Sequence, residues 1–290
     1  MGRSGDNSGR ATASQQPLVS IITVVLNGAN TLGRAIESVV AQKFRGFEYI
    51  IIDGGSTDGT LEVIRQYESH LACWISEPDR GLYDAMNKGV SLSKGEWVYF
   101  LGADDYLLDG FTSAAERLKD DTTVYYGDVY RPVMGRTYDG RFSAYKLACR
   151  NICHQSIFYP RCVWEKFSYN LKYPVFADYD LNLRCFADNG LRFEYIPETI
   201  AVFSDEGGLS PTRTDSAFEK DKPALIKETF PSWVYAMILG RSCLLKILAV
   251  LGLQKAATAI YHFLLKARSV YADGKSRQGA KKALEKSGRL

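Results

Sequence analysis

The chain has 290 residues, 46% hydrophobic and 24% charged, a balance that indicates a globular protein with a sizeable core rather than a disordered one. Its net charge of +3 conceals a division: residues 231–290 carry 11 Lys/Arg against 2 Asp/Glu, or +9, and residues 1–230 carry 25 against 31, or −6. An acidic body repels nucleic acid, so DNA or RNA binding is disfavoured. The six cysteines are scattered without a Cys-x-x-Cys pair, which fits free thiols in a reducing cytosol better than disulfides or a zinc site.

Residues 1–16 are polar and Gly/Ser-rich and read as a disordered arm. The β-branched run from Leu18 to Leu26 predicts a strand over 19–26, stopped by Asn27-Gly28 and followed by a helix around 31–41. A second strand, 47–53, ends on Asp53 and turns through Gly54-Gly55-Ser56-Thr57-Asp58-Gly59 into a helix around 58–69. Gly55 and Gly59 suit the tight turn, and Ser56 or Thr57 suits the helix cap. A short strand near 73–76 precedes the segment Glu77–Gly89 and a helix around 83–93. The aromatic strand 97–101 runs into Asp104-Asp105, and a helix follows over 110–119 with Asp109 as its N-cap. This alternation predicts an α/β fold, a mainly parallel sheet with helices on both faces. Ligands bind such sheets beyond the carboxyl ends of the strands, where Asn27, Asp53 and Asp104/Asp105 all fall.

The second half is less regular. Strands are expected at 123–129, 156–160, 193–196 and 200–203, with 130–148 as a hairpin or loop. Helices are expected over 178–189, 215–229 and 232–268, the last broken near Gly252, with a Gly-rich loop from Asp205 to Pro211.

Adjacent carboxylates at a buried strand tip repel each other, and a hard divalent cation relieves that repulsion while bridging a substrate's phosphates. With the Asp104/Asp105 pair, the ordered motifs Leu18–Leu26, Ile52-Asp53-Gly54-Gly55-Ser56 and Glu77-Pro78-Asp79-Arg80-Gly81 through Asn87-Lys88-Gly89 resemble the family 2 inverting glycosyltransferases of GT-A fold. The likeness covers roughly residues 17–210. It implies a catalytic domain over 17–230, with a nucleotide-binding half at about 17–105 and an acceptor half at about 106–230, followed by a basic helical extension over 231–290.

The resemblance further implies that Asn27, Asp53, Asp79, Arg80, Asp84 and Asp104 contact a nucleotide-sugar donor and that Asp105 ligates Mg²⁺ or Mn²⁺. A uracil-like base offers an N–H that a carboxylate accepts, a role assigned to Asp53, the first acid of a usual Asp-Asp-Gly-Ser. Gly54 replaces the second acid here. The general base is assigned to Asp178, with Asp180 as second choice, at the start of a helix whose dipole keeps a carboxylate ionised. His154-Gln155-Ser156 matches a recurrent family pattern and is a candidate for acceptor or diphosphate contact. The Gly207-Gly208 loop resembles a lid that closes over the donor. The chain lacks the Gln-x-x-Arg-Trp signature of processive members, so transfer of a single sugar from a UDP-linked donor to a glycan or lipid-linked acceptor in cell-surface polysaccharide biosynthesis is the expectation. Two alternatives are a sugar nucleotidyltransferase, whose triphosphate loop Asn27–Thr31 does not supply, and a degenerate binding module, which would lack the intact carboxylates.

Residues 233–253 hold ten Leu, Ile or Val. Their insertion gains roughly 3–6 kcal/mol, and Arg241 with Lys246 costs roughly 5–7, so spanning a bilayer is disfavoured. Amphipathic helices lying on an anionic membrane surface, or on a partner in a homo-oligomer, are expected instead, with helices packed on the catalytic domain and a solvated tail as the alternative. The protein is then cytoplasmic and peripheral on the inner face of the cell membrane.

Overall fold

The computed structural model describes residues 16–204 and 214–251. The expected arm, the Gly-rich lid loop and the basic end beyond Leu251, including the break near Gly252, lie outside the described residues. In chain order the elements are β1 (Val19–Val25), α1 (Leu32–Val40), β2 (Phe47–Asp53), α2 (Thr60–Gln66), β3 (Cys73–Ser76), α3 (Leu82–Leu92), β4 (Trp97–Gly102), β5 (Tyr106–Leu107) and α4 (Gly110–Ala115). They continue with β6 (Thr123–Arg131), β7 (Arg136–Tyr138), α5 (Ala144–Cys149), β8 (Ile157–Pro160), α6 (Arg161–Lys166), α7 (Ala177–Ala187), β9 (Arg192–Val202), α8 (Ser216–Thr229) and α9 (Ser232–Val250).

The strands form one mixed sheet in the order β3-β2-β1-β4-β8-β6-β9-β5, with β7 paired to β6. Its long ladders, among β1, β2, β3 and β4 and between β6 and β9, are parallel; β8 joins β4 to β6 by antiparallel pairing. Every residue of β1 is buried, as expected of a central strand covered on both faces. Alternate side chains feed two cores. Ile22, Val24, Ile50, Ile52, Val98 and Phe100 face α3 and α7, while Ile21, Tyr49, Ile51, Tyr99 and Leu101 face α1 and α4. Helix α1 meets its core with Leu32, Ala35, Ile36 and Val39, one stripe at helical spacing.

Three local expectations are refined. Asp109 occupies the N-cap position of α4, as expected, but its side chain makes no capping bond. The 130–148 segment begins with the expected hairpin, β6 pairing antiparallel with β7 from Arg131 to Arg136, and continues into α5, where Ser143 accepts the Lys146 N–H. The two short strands at 193–196 and 200–203 are one strand, β9. Pro197 lacks the N–H that would continue the ladder, and β9 absorbs it by bulging: Tyr126 pairs with Tyr195, but Asp128 pairs with Thr199.

At the C-terminal side, α8 packs on α7 through Phe218, whose ring meets those of Tyr173, Phe176 and Tyr179. Helix α9 follows and is anchored by the buried Val234. No helix among the described residues is long and apolar enough to cross a membrane.

Gly89 shows how closely α3 is set on the sheet, since a Cβ there would lie 2.5 Å from Ile22 Cγ2 and 3.3 Å from Ile52 Cγ1. Ala in a helix gains roughly 0.5–1 kcal/mol over Gly, but overpacking costs roughly 1–3 kcal/mol. Gly89→Ala is therefore expected to lower the urea midpoint with an unchanged m-value. An equal or higher midpoint would show that α3 has slack against β1.

Candidate active site

Val25 lies opposite Asp53, Val24 opposite Gly102, and Asp53 opposite Ser76, so β1 to β4 end together along one edge. Asn27 turns that edge in the left-handed region, with φ 54°. Its N–H donates to Ser56 Oγ (2.7 Å), and its Oδ1 accepts the Thr57 N–H (2.9 Å). Asn27 thus straps the turn after β1 to the turn after β2.

Asp53 lies beneath this strap and is fully buried. Its Oδ2 accepts the N–H groups of Gly55 (3.1 Å) and Ser56 (3.0 Å) and the Ser76 hydroxyl (2.6 Å), and its Oδ1 accepts the Ser56 hydroxyl. Gly55 and Gly59 adopt φ of 88° and 99°, as the tight turn requires. The expected Ser56 or Thr57 cap is not made: Ser56 is committed to Asp53, Gly59 occupies the N-cap position, and Asp58 Oδ1 accepts the Thr60 N–H at 3.1 Å.

The segment after β3 is held by its own charges. Asp79 Oδ1 accepts the Gly81 N–H (2.7 Å). Asp84 accepts the Arg80 N–H (3.0 Å) and pairs with the Arg80 guanidinium (2.8 Å), which holds the Asp84 carboxyl below its usual range. Lys88 staples the segment by pairing with Glu77 (2.8 Å) and donating to the Pro78 carbonyl (2.9 Å). Asn87 clamps the Tyr169 backbone at both its N–H (2.9 Å) and its carbonyl (3.0 Å).

At the end of β4, Asp104 is half-buried, and burial raises its carboxyl pKa. Asp105 is 1% exposed. Burial, reinforced by the neighbouring Asp104 charge, pushes its pKa up to about 6. Its Oδ2 accepts from Gln155 Nε2 (2.8 Å) and its Oδ1 from the Ser204 N–H (2.7 Å). Each oxygen keeps acceptor capacity after one bond. The pair fits a hard divalent cation: its donors are carboxylate oxygens, and its mutual repulsion is what a cation removes. No cluster of three His, Cys, Asp or Glu side chains among the described residues can hold a metal alone.

A cavity of about 420 Å³ is lined in part by Asn151, His154, Asp178, Arg150 and Lys222, and by Gln155, the hydrogen-bond partner of Asp105. Asp178, 8% exposed, sits in the first turn of α7. Its Oδ1 accepts the Tyr83 hydroxyl (3.0 Å); its Oδ2 accepts from Asn151 Nδ2 (2.8 Å) and lies 3.3 Å from His154 Nδ1. Asp180 does not line the cavity. It pairs with Arg184 at 2.8 Å, and its burial raises its pKa against that pairing. Asp178 thus lines the cavity, Asp105 lies behind its wall bonded to Gln155, and Asp180 is in an ion pair outside it.

Sequence reasoning missed Tyr83, Asn151 and Arg34 as contributors. Arg34 donates to the Asp104 carbonyl (2.7 Å) and lies over the Tyr106 ring. None sits in a local pattern that announces its partner, because each acts across the fold.

Residues 20–198 match the family described as glycosyl transferase family 2. A PGL/p-HBAD biosynthesis glycosyltransferase of Mycobacterium bovis is 38% identical over 216 residues, covering 71% of this chain and 84% of that protein. Among solved structures, Staphylococcus aureus TarS in complex with UDP-GlcNAc gives a TM-score of 0.59 at 17% identity, covering 73% of this chain and 67% of that one. The mannosyltransferase PcManGT from Pyrobaculum calidifontis, in complex with GDP-Man and Mn²⁺, gives 0.55 at 17% identity, covering 87% and 89%. These two share its GT-A architecture. The chain belongs to glycosyl transferase family 2 and is an enzyme that transfers sugar from a nucleotide sugar.

Proposed function

We propose that the enzyme transfers a single sugar, with inversion, from a UDP-linked donor to a glycan or lipid-linked acceptor during cell-surface polysaccharide assembly. The observation that carries this reading is the Asp178 carboxylate. It is held by Tyr83, Asn151 and His154 at the wall of a cavity whose neighbouring wall, through Gln155, holds Asp105. These donors fix the aim of the carboxylate.

Asp178 accepts the proton of the acceptor hydroxyl as that oxygen bonds to the anomeric carbon. The bond from that carbon to the diphosphate breaks on the opposite face, so the configuration inverts. Asp104 and Asp105 would hold the Mg²⁺ or Mn²⁺ ion, with Asp104 also facing the donor ribose. The ion supplies neutralisation of the charge that gathers on the leaving diphosphate. The Mn²⁺ in the PcManGT complex supports this assignment. Asn27, Arg80 and Asp84 frame the donor side by shaping the turns after β1 and β3.

Chelation should abolish transfer, and Mg²⁺ or Mn²⁺ should restore it. Asp105→Asn should remain folded and lose metal-dependent binding of nucleoside diphosphate in calorimetry. Full activity in excess EDTA would eliminate the metal role.

Asp178→Asn should leave nucleotide affinity nearly unchanged and lower turnover by roughly 10²–10⁴-fold, the usual cost of losing general acid–base help. If Asp180→Asn silences the enzyme and Asp178→Asn is mild, the base assignment is wrong.

The enzyme is placed at the cytoplasmic face of the cell membrane by residues 231–290. They combine the +9 charge with apolar side chains that α9 leaves exposed, Trp233 at 52%, Ile247 at 52% and Val250 at 88%. The full chain should co-sediment with anionic vesicles more than with neutral ones at low salt, and this preference should weaken in high salt as exposed charges are screened. Equal partition onto both vesicle types at all salt concentrations would exclude electrostatic docking.

A further inference from the structure

A second cavity, of about 240 Å³, lies between α5, α8 and α9. Most of its wall is apolar: Ala148 from α5, Pro223 and Ile226 from α8, and Tyr235, Ile238 and Leu239 from α9. Leu239 is 52% exposed, so the crevice opens to the surface along α9. Cys149, Glu219 and Lys222 line both this crevice and the cavity at Asp178, so the one begins where the other ends. Lys222, on that border, is half-buried, and its ammonium lies 5.0 Å from the Tyr179 ring centre and 5.9 Å from that of Phe218. It forms no salt bridge or hydrogen bond among the described residues. Burial pulls its pKa down, a penalty that an anion beside it would relieve. Arg241 lines the crevice with it, and the exposed Glu219 is the one carboxylate on the crevice wall among the described residues.

We propose that the acceptor is joined to a hydrocarbon chain through a phosphate, with its reactive hydroxyl at Asp178, its phosphate at Lys222 and its chain in the crevice between α8 and α9. This rests on the reading of the Asp178 cavity as the acceptor side of the site. A bare glycan would leave the Ile226, Ile238 and Leu239 faces in contact with water, whereas a hydrocarbon chain gains from covering them. Two cations against one carboxylate complement the charge of a phosphate. The border residues then read the linker of the acceptor, and the crevice reads its chain.

The test is calorimetric binding of decyl phosphate, butyl phosphate and decyl maltoside, all kept below micelle formation, to the full chain with UDP and Mn²⁺ present. Decyl phosphate should bind roughly tenfold or more tightly than butyl phosphate, because the longer chain buries more methylenes. It should also bind more tightly than decyl maltoside, which has the same chain and no charge. Lys222→Gln should remove the preference over decyl maltoside, and Leu239→Asp should remove the preference over butyl phosphate. Unchanged UDP affinity in each variant checks that it is folded. A wild type that binds UDP but does not prefer decyl phosphate overturns the inference and leaves the donor reading intact. Preferences that survive both substitutions place the amphiphile elsewhere, as on the outer face of α9, and overturn the inference as well. A wild type that does not bind UDP overturns the nucleotide-sugar reading, and the inference with it.

Discussion

The in-register parallel pairing of β1 with β2 and β4 is the constraint on which the site depends. A parallel ladder sends consecutive strands in one direction, so the chain leaves the sheet repeatedly at the same edge. The pairing of Val25 with Asp53 and of Val24 with Gly102 sets the turn at Asn27 and the Asp104/Asp105 pair at one level. A slip of one residue in either ladder would turn every core side chain of that strand to the wrong face. The two cores, alternating along β1, β2 and β4, hold the register against that slip.

The second dependence is chemical. Asp105 and Asp178 are buried carboxylates drawn from separate segments, and each is tolerated because hydrogen-bonding partners surround it. Gln155 and the Ser204 N–H serve Asp105; Tyr83, Asn151 and His154 serve Asp178. Asn151 is itself oriented by Asn182 (2.8 Å), which accepts the Tyr159 hydroxyl (2.9 Å). Hydrogen bonds to a charged group contribute roughly 1.5–3 kcal/mol each, so such a chain sets the aim of the carboxylate it ends on.

The strands β1, β2 and β4 were legible because they are long β-branched or aromatic runs that end on turn residues. The acid pair was legible because two carboxylates at a strand tip need a local reason. β5 and β7 were not, since two and three residues of ladder leave no periodicity to read. β9 was split in the sequence by Pro197, whose effect on pairing depends on a bulge formed against β6. At the site, what sets Asp178 apart from Asp180 is a partner far along the chain, Tyr83, whereas Asp180 pairs with Arg184 one helical turn on, which also reaches the Ser168 carbonyl.

Helix α3 has a mechanical meaning. Its first turn follows the donor-side segment, Tyr83 reaches Asp178 and the Val175 carbonyl, and Asn87 grips the Tyr169 backbone from both sides. Helix α3 thus ties the carboxyl edge of the sheet to the segments before and within α7. Pulling these segments apart would break both Asn87 bonds and the contact of the Tyr83 hydroxyl, so the floor of the cleft is stitched from one helix.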